Sequence, residues 1–155
     1  MIDKRLVVHH VGGRSGSRGF PLFKDFENDV INVLYEANDK CIEQIEKRWA
    51  NEPSQTVVLP YCLSDSKGSI TFNLNYDPYT SSIYPFNEKY GSFYLPKVNC
   101  DYQLGETHKT MEKVHVSTLT LDDMLSNEDR VSAPDFLSID TQGSELRILK
   151  GGSKL

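Results

Sequence analysis

The sequence predicts an α/β fold built on an open, mostly parallel sheet. Three observations predict it: short β-branched runs recur with turn chemistry at their ends, one of them is apolar almost throughout, and an amphipathic helical pattern follows it before the next run. A run that is apolar without alternation is covered on both faces, and helical crossovers are what cover a parallel sheet on both faces. At 155 residues, 38% apolar and 25% charged, the chain has the size of one domain, 1–155, and one core is expected.

The elements follow in order. Arg5-Leu-Val-Val-His-His-Val11 reads as a strand that stops at Gly12-Gly13-Arg14-Ser15-Gly16-Ser17-Arg18-Gly19, a glycine-rich loop. Residues 29–36 are the near-continuous apolar run, a second strand. From 38 to 51, Asn38 is an N-cap ahead of Cys41, Ile42, Ile45 and Trp49, spaced by three or four with charged residues between them: an amphipathic helix. Residues 56–63 give a third strand, with Pro60 at its end or at a bulge, closed by the turn Ser64-Asp65-Ser66-Lys67-Gly68. Residues 69–102 hold nine of the fifteen Phe and Tyr residues together with Pro78, Pro85 and Pro96, and read as a β-rich insertion of hairpins and loops before the fourth core strand. Residues 114–119 alternate as an edge strand does, and 121–125 make one helical turn. Residues 135–139 form a compact apolar strand ending on Asp140, and 144–150 begin a helix with Leu146 and Leu149 inward.

Composition narrows the function classes. No apolar run approaches the roughly 18 residues that span a bilayer, and residues 1–5 lack a signal pattern, so neither membrane insertion nor secretion is expected. A net charge of −5 repels polyanions, which argues against a nucleic-acid partner. Three cysteines, Cys41, Cys62 and Cys100, with no C-x-x-C and no nearby His pair, read as reduced thiols in a cytoplasmic protein without structural zinc.

Ligands of an open α/β sheet collect at the carboxyl ends of its strands. Gly12, Gly13 and Gly16 follow the first strand and permit close approach of a ligand or simply a tight turn. Glu36 ends the second strand about twenty residues on, where a carboxylate accepts both hydroxyl protons of a ribose; the plainer reading is a solvated charge. Ser64 and Asp65 follow the third strand and are also good turn formers. After the last strand, Asp140-Thr-Gln-Gly-Ser-Glu145 sets two carboxylates about one helical turn apart; Glu145 also suits a helix N-terminus. His9 and His10 are adjacent in a strand and face opposite ways, and His108 and His115 have no ligand spacing to them, so no metal site is expected. The aromatic stretch from 72 to 102 reads as hairpin core or as a lid whose faces suit sugar rings.

Asp135-Phe-Leu-Ser-Ile-Asp-Thr-Gln-Gly-Ser-Glu-Leu-Arg-Ile-Leu-Lys-Gly-Gly152 resembles the signature of the FkbM-type S-adenosylmethionine-dependent methyltransferases, a strand running into Ile-Asp-x-x-Gly-x-Glu and then Leu-Lys-Gly. Ser117-Thr-Leu-Thr-Leu-Asp-Asp-Met-Leu125 looks like the family's Thr-Leu-Asp-Asp-Leu element, and Leu63-Ser64-Asp65 with Gly68 like its Leu-Ser-Asp-x-x-Gly turn. Ser81-Ser82 resembles its Ser-Ser pair, and Tyr35-Glu36-Ala37-Asn38 its Phe-Glu-Pro-Asn block, so the likeness spans nearly the whole chain in order.

The resemblance implies a Rossmann-like class I methyltransferase sheet with S-adenosyl-L-methionine over Gly12, Gly13 and Gly16, its ribose on Glu36 beside Ala37, and its adenine near Ser64 and Asp65. The reaction it implies is O-methylation of a hydroxyl on a small-molecule or carbohydrate acceptor. For that reaction the strand-end position makes Asp140 the candidate base or cation ligand, and Glu145 the group that orients it or the substrate. A divalent cation is the less favoured arrangement. Two departures stand out. The family's first loop reads Asp-x-Gly-Ala-Asn-x-Gly, whereas this chain has His10, Gly13 and Arg14 where the family has Asp, Ala and Asn. The sequence also stops just after Leu-Lys-Gly, so the resemblance leads one to expect a domain whose last strands are missing, with an exposed sheet edge open to self-association. Two other readings accompany this one: an NAD-dependent oxidoreductase, which leaves Ile-Asp-Thr-Gln-Gly-Ser-Glu unexplained, and a non-catalytic remnant that keeps a nucleotide-binding or interaction surface.

Overall fold

The computed structural model describes residues 5–16, 20–52, 54–90 and 104–155, so the readings at Cys100, Pro96 and the end of the glycine loop lie outside the described residues. The first core strands are β1 (Leu6–Val11), β2 (Val30–Tyr35) and β3 (Gln55–Leu59), with helix α1 (Asp39–Trp49) between the last two. Strand β4 (Cys62–Leu63) follows at once, then β5 (Gly68–Asn75), α2 (Leu104–Thr107), β6 (Thr110–Leu119) and α3 (Leu121–Asn127). Strand β7 (Phe136–Ile139) and helix α4 (Glu145–Lys150) come last.

Four strands form one parallel sheet in the order β3-β2-β1-β7. Its residues alternate between faces, and each face has its own apolar cover. Val7, Val11, Val33, Tyr35 and Leu59 pack with Leu63, Leu121, Met124 and Ile148 on one side. Leu34 and Val58 pack with Cys41, Ile45 and Trp49 of α1 on the other. This two-sided burial is why the second strand reads as continuous apolarity. Helix α1 starts where expected, the Asn38 side chain accepting from the Lys40 N–H.

The structure corrects three sequence expectations. The run 56–63 is not one strand: it breaks at Pro60, and Cys62–Leu63 joins a second sheet of order β4-β6-β5, because proline has no N–H to continue the first ladder. Residues 114–119 belong to the central strand of that second sheet, paired parallel to β4 and antiparallel to β5. Its alternation reflects a sheet with one open face, a pattern that does not report edge position. In α4, Leu146 and Leu149 are outward, 64% and 54% exposed, while Ile148 is buried. The inward stripe runs through Ser144, Ile148 and Gly151, at spacings of four and three, and Leu146 and Leu149 lie on the opposite stripe.

Candidate functional site

The chain order turns at β1, with β2 and β3 on one side and β7 on the other. The crevice outside the carboxyl ends at such a switch point is where open α/β sheets take ligands. A cleft lies there, lined by Gly12, Arg14, Glu36, Ala37 and Asp140 from the strand ends, by Cys62 and Leu63 of β4, and by Phe72, Tyr79, Ser81 and Ile83 from the second sheet and its following loop.

The glycine loop is shaped by the chain itself. Gly12 has φ +78°, and a Cβ there would overlap the carbonyl oxygen of Asp140. Gly16, at φ +52°, is pressed by the Trp49 ring, which a Cβ would meet at 2.8 Å. Gly13 has no such backbone requirement; a Cβ would stand 3.2 Å from that of His10. Of the three, Gly12 alone lines the cleft.

At the end of β2, Glu36 is 6% exposed and has partners on both oxygens. The Asn38 N–H donates to Oε1 at 2.8 Å, and Arg14 Nε donates to Oε2 at 2.6 Å. The Tyr79 ring lies over this guanidinium, 5.4 Å from centroid to Cζ, and Arg48 donates to the Tyr79 hydroxyl at 3.2 Å. The Cys41 thiol is raised by burial, an effect the nearby Arg14 charge opposes and Glu36 adds to.

At the end of β7, the Asp140 N–H bonds the Val11 carbonyl at 2.9 Å, which ties it to β1, and its Oδ1 accepts from Gln142 Nε2 at 3.2 Å. The next residues turn sharply: Gln142 has φ 57° and Gly143 φ 110°. A non-glycine residue held there costs about 1–3 kcal/mol and needs support. Glu145 supplies it, its Oε1 accepting from the Thr141 and Gly143 N–H groups, each at 3.0 Å, and from the Thr141 hydroxyl at 3.3 Å. Burial pushes the Glu145 carboxyl up, but the hydrogen bonds from Gly143, its own N–H and Thr141 prevail and hold it below its ordinary value. From the loop after β5, the Ser82 hydroxyl donates to the Gln142 carbonyl at 2.9 Å and accepts from the Tyr84 N–H at 3.0 Å. The spacing in Asp-x-x-Gly-x-Glu is therefore that of a loop whose own acid binds its own amides.

Ser64 and Asp65 follow β4, not the third core strand, and neither lines the cleft. Asp65 Oδ1 accepts from Arg147 Nη2 at 2.8 Å and Nε at 3.1 Å, and these bonds hold its carboxyl below the usual range. Cys62 does line the cleft, but burial pushes its thiol up to about 11, so it is protonated and a poor nucleophile at neutral pH. His9 and His10 turn to opposite faces: His9 bonds the Tyr35 hydroxyl at 2.8 Å and the Ser132 carbonyl, His10 the Asn32 side chain at 3.2 Å, and neither lines the cleft. Among the described residues no group of three His, Cys, Asp or Glu side chains is placed to hold a metal ion.

The structure thus brings Gly12, Glu36, Ala37 and Asp140 to one cleft, with Glu145 behind the Asp140 loop and Gly13, Gly16, Ser64 and Asp65 outside the lining. Sequence reasoning missed the Arg14–Glu36 pair and its Tyr79 cover. The available signal was a cation in the glycine loop where the resembling family has Asn. Compared with protein-family models, residues 6–155 match the one described as Methyltransferase FkbM domain. No curated protein and no solved structure gives a significant match.

Proposed function

The chain belongs to the methyltransferase FkbM domain family, and from that premise we propose that it moves a methyl group from S-adenosyl-L-methionine to a hydroxyl of a sugar or related small molecule. One observation carries the reading: Gly12, Glu36 and Asp140, from the ends of three neighbouring parallel strands, line a single cleft at the switch point. The residues fit a nucleoside. Leu63, Phe72, Ile83 and Ile148 give apolar wall for a base, and the Glu36 carboxylate at the end of β2 is the acceptor for a ribose.

When bound, the methyl donor supplies a methyl group already activated on a sulfonium. Much of the rate then comes from alignment. Asp140 is the candidate base for the acceptor's hydroxyl proton, and Glu145 is a positioning residue that fixes the Asp140 loop through Thr141 and Gly143. Ser82, bridged to Asn73 of β5, steadies the same loop.

Isothermal calorimetry with S-adenosylhomocysteine and with NAD tests the proposal. Binding of the first alone supports it, and binding of NAD alone points to an oxidoreductase. Binding of neither favours a non-catalytic remnant, a second reading for which the Arg14–Glu36 pair across the ribose position is the specific support.

A further inference from the structure

We propose that Arg14 sets the affinity of the cleft by competing, within the chain, with the ribose of a nucleoside for the Glu36 carboxylate. The inference rests on the reading above that Glu36 is the ribose acceptor. The Asn38 N–H fixes Oε1 and so the orientation of the carboxylate. The other oxygen, Oε2, accepts from Arg14 Nε at 2.6 Å, and both residues line the cleft. The pair is enclosed, with Arg14 13% and Glu36 6% exposed, so solvent screens it far less than a surface pair.

Two further contacts hold the guanidinium in place. The Tyr79 ring covers it, and Tyr79 is itself tied to Arg48 of α1 through its hydroxyl. The Arg14 carbonyl accepts from Trp49 Nε1 at 3.4 Å, which fastens the backbone at this position to the same helix. A ribose diol that takes both oxygens of the carboxylate must therefore displace the charge-assisted bond at Oε2 and move Arg14 away from Glu36. The exchange replaces a charged donor by two neutral ones, so it costs affinity. Of the other two loop positions that differ from the resembling family, Gly13 carries no side chain, and His10 bonds Asn32 and does not line the cleft, so neither offers the ligand compensation.

The test is calorimetric binding of S-adenosylhomocysteine to the wild type, Arg14→Asn, Glu36→Ala and the double variant. Arg14→Asn should bind at least about tenfold more tightly, the worth of one hydrogen bond to a charged group. Glu36→Ala should cost at least about tenfold more affinity in the Arg14→Asn background than in the wild type, because only there is the carboxylate free for the ribose. Arg14→Lys keeps the charge without the planar Nε–H and should fall between, which preserves the test should Arg14→Asn fold poorly. Detectable binding to Arg14→Asn with none to the wild type also supports the proposal. Equal binding by both, or weaker binding by Arg14→Asn, overturns the competition while leaving the methyltransferase reading intact. Failure of all five proteins to bind overturns the ribose role of Glu36 and the competition with it.

Discussion

The backbone of Gly12 packs directly on the carbonyl of Asp140, with no space for a side chain between them. The first glycine of the loop is thus needed before any ligand is considered. It lets the ends of β1 and β7 close on each other, and the Asp140 N–H completes the join on the Val11 carbonyl.

Gly12→Ala should accordingly destabilise the fold as well as the site. A left-handed non-glycine residue costs about 1–3 kcal/mol, and the overlap with Asp140 adds to it, so a loss of about 3 kcal/mol is expected. Urea denaturation measures it. An unchanged midpoint would mean that the two strand ends separate freely.

The two buried histidines predict a pH dependence. Burial pushes His9 and His10 down to about 4, against the opposing bonds to Ser132 and Asn32, with the charge of His10 adding to the effect on His9. The unfolded chain takes up these protons near 6.5 and the folded chain only near 4. Stability should therefore be full above 6.5 and decline as pH falls from 6.5 towards 4, by roughly 3 kcal/mol for each histidine. His10→Gln keeps a donor for Asn32 without a titrating ring and should remove about half of the slope in a series of urea midpoints. A flat profile in the wild type would show that both imidazoles protonate inside the fold.

What was legible in the sequence follows from what one-dimensional patterns carry. The strand run at 29–36, the Asn38 cap and the strand ending on Asp140 are local signals, and each stands where the residues put it. The division at Pro60 between two sheets and the central place of residues 114–119 depend on pairing partners far apart in the chain, such as Cys62 with Thr118 and Gly68 with Thr118, which no local period encodes. Helix α4 is too short for its apolar residues to define a stripe, since Leu146, Ile148 and Leu149 span barely one turn. Glu36 and Asp140 were legible because strand-end acids follow the sheet, whereas the Arg14–Glu36 bond depends on the path of a glycine loop.

Helix α4 supplies a prediction of contrast. Ile148→Ala removes a buried side chain from the core shared with Leu121 and Met124 and should cost about 2–5 kcal/mol. Leu146→Ala, at an exposed position, should change stability by no more than about 0.5 kcal/mol. Equal losses in urea midpoint would mean that Leu146 is covered in solution.

The last prediction separates Asp140 from its support. Its carboxylate is exposed at the cleft and bonded to Gln142, whereas Glu145 is bound to the loop amides. Asp140→Asn keeps shape and an acceptor oxygen, so the fold should persist and affinity for S-adenosylhomocysteine should change little. Loss of a general base lowers turnover by about 10²–10⁴-fold, and that is the expected drop. Glu145→Ala also lowers turnover, but by freeing the strained turn at Gln142, so it should raise the urea sensitivity of the protein, which Asp140→Asn should not. EDTA distinguishes two roles for Asp140. Wild-type activity that is lost and then restored by Mg²⁺ makes it a cation ligand that lowers the hydroxyl's pKa, and activity indifferent to EDTA leaves it as the base. If Asp140→Asn yields no soluble protein, its main task is instead to cap the turn into α4, and the proton acceptor must be sought elsewhere in the cleft.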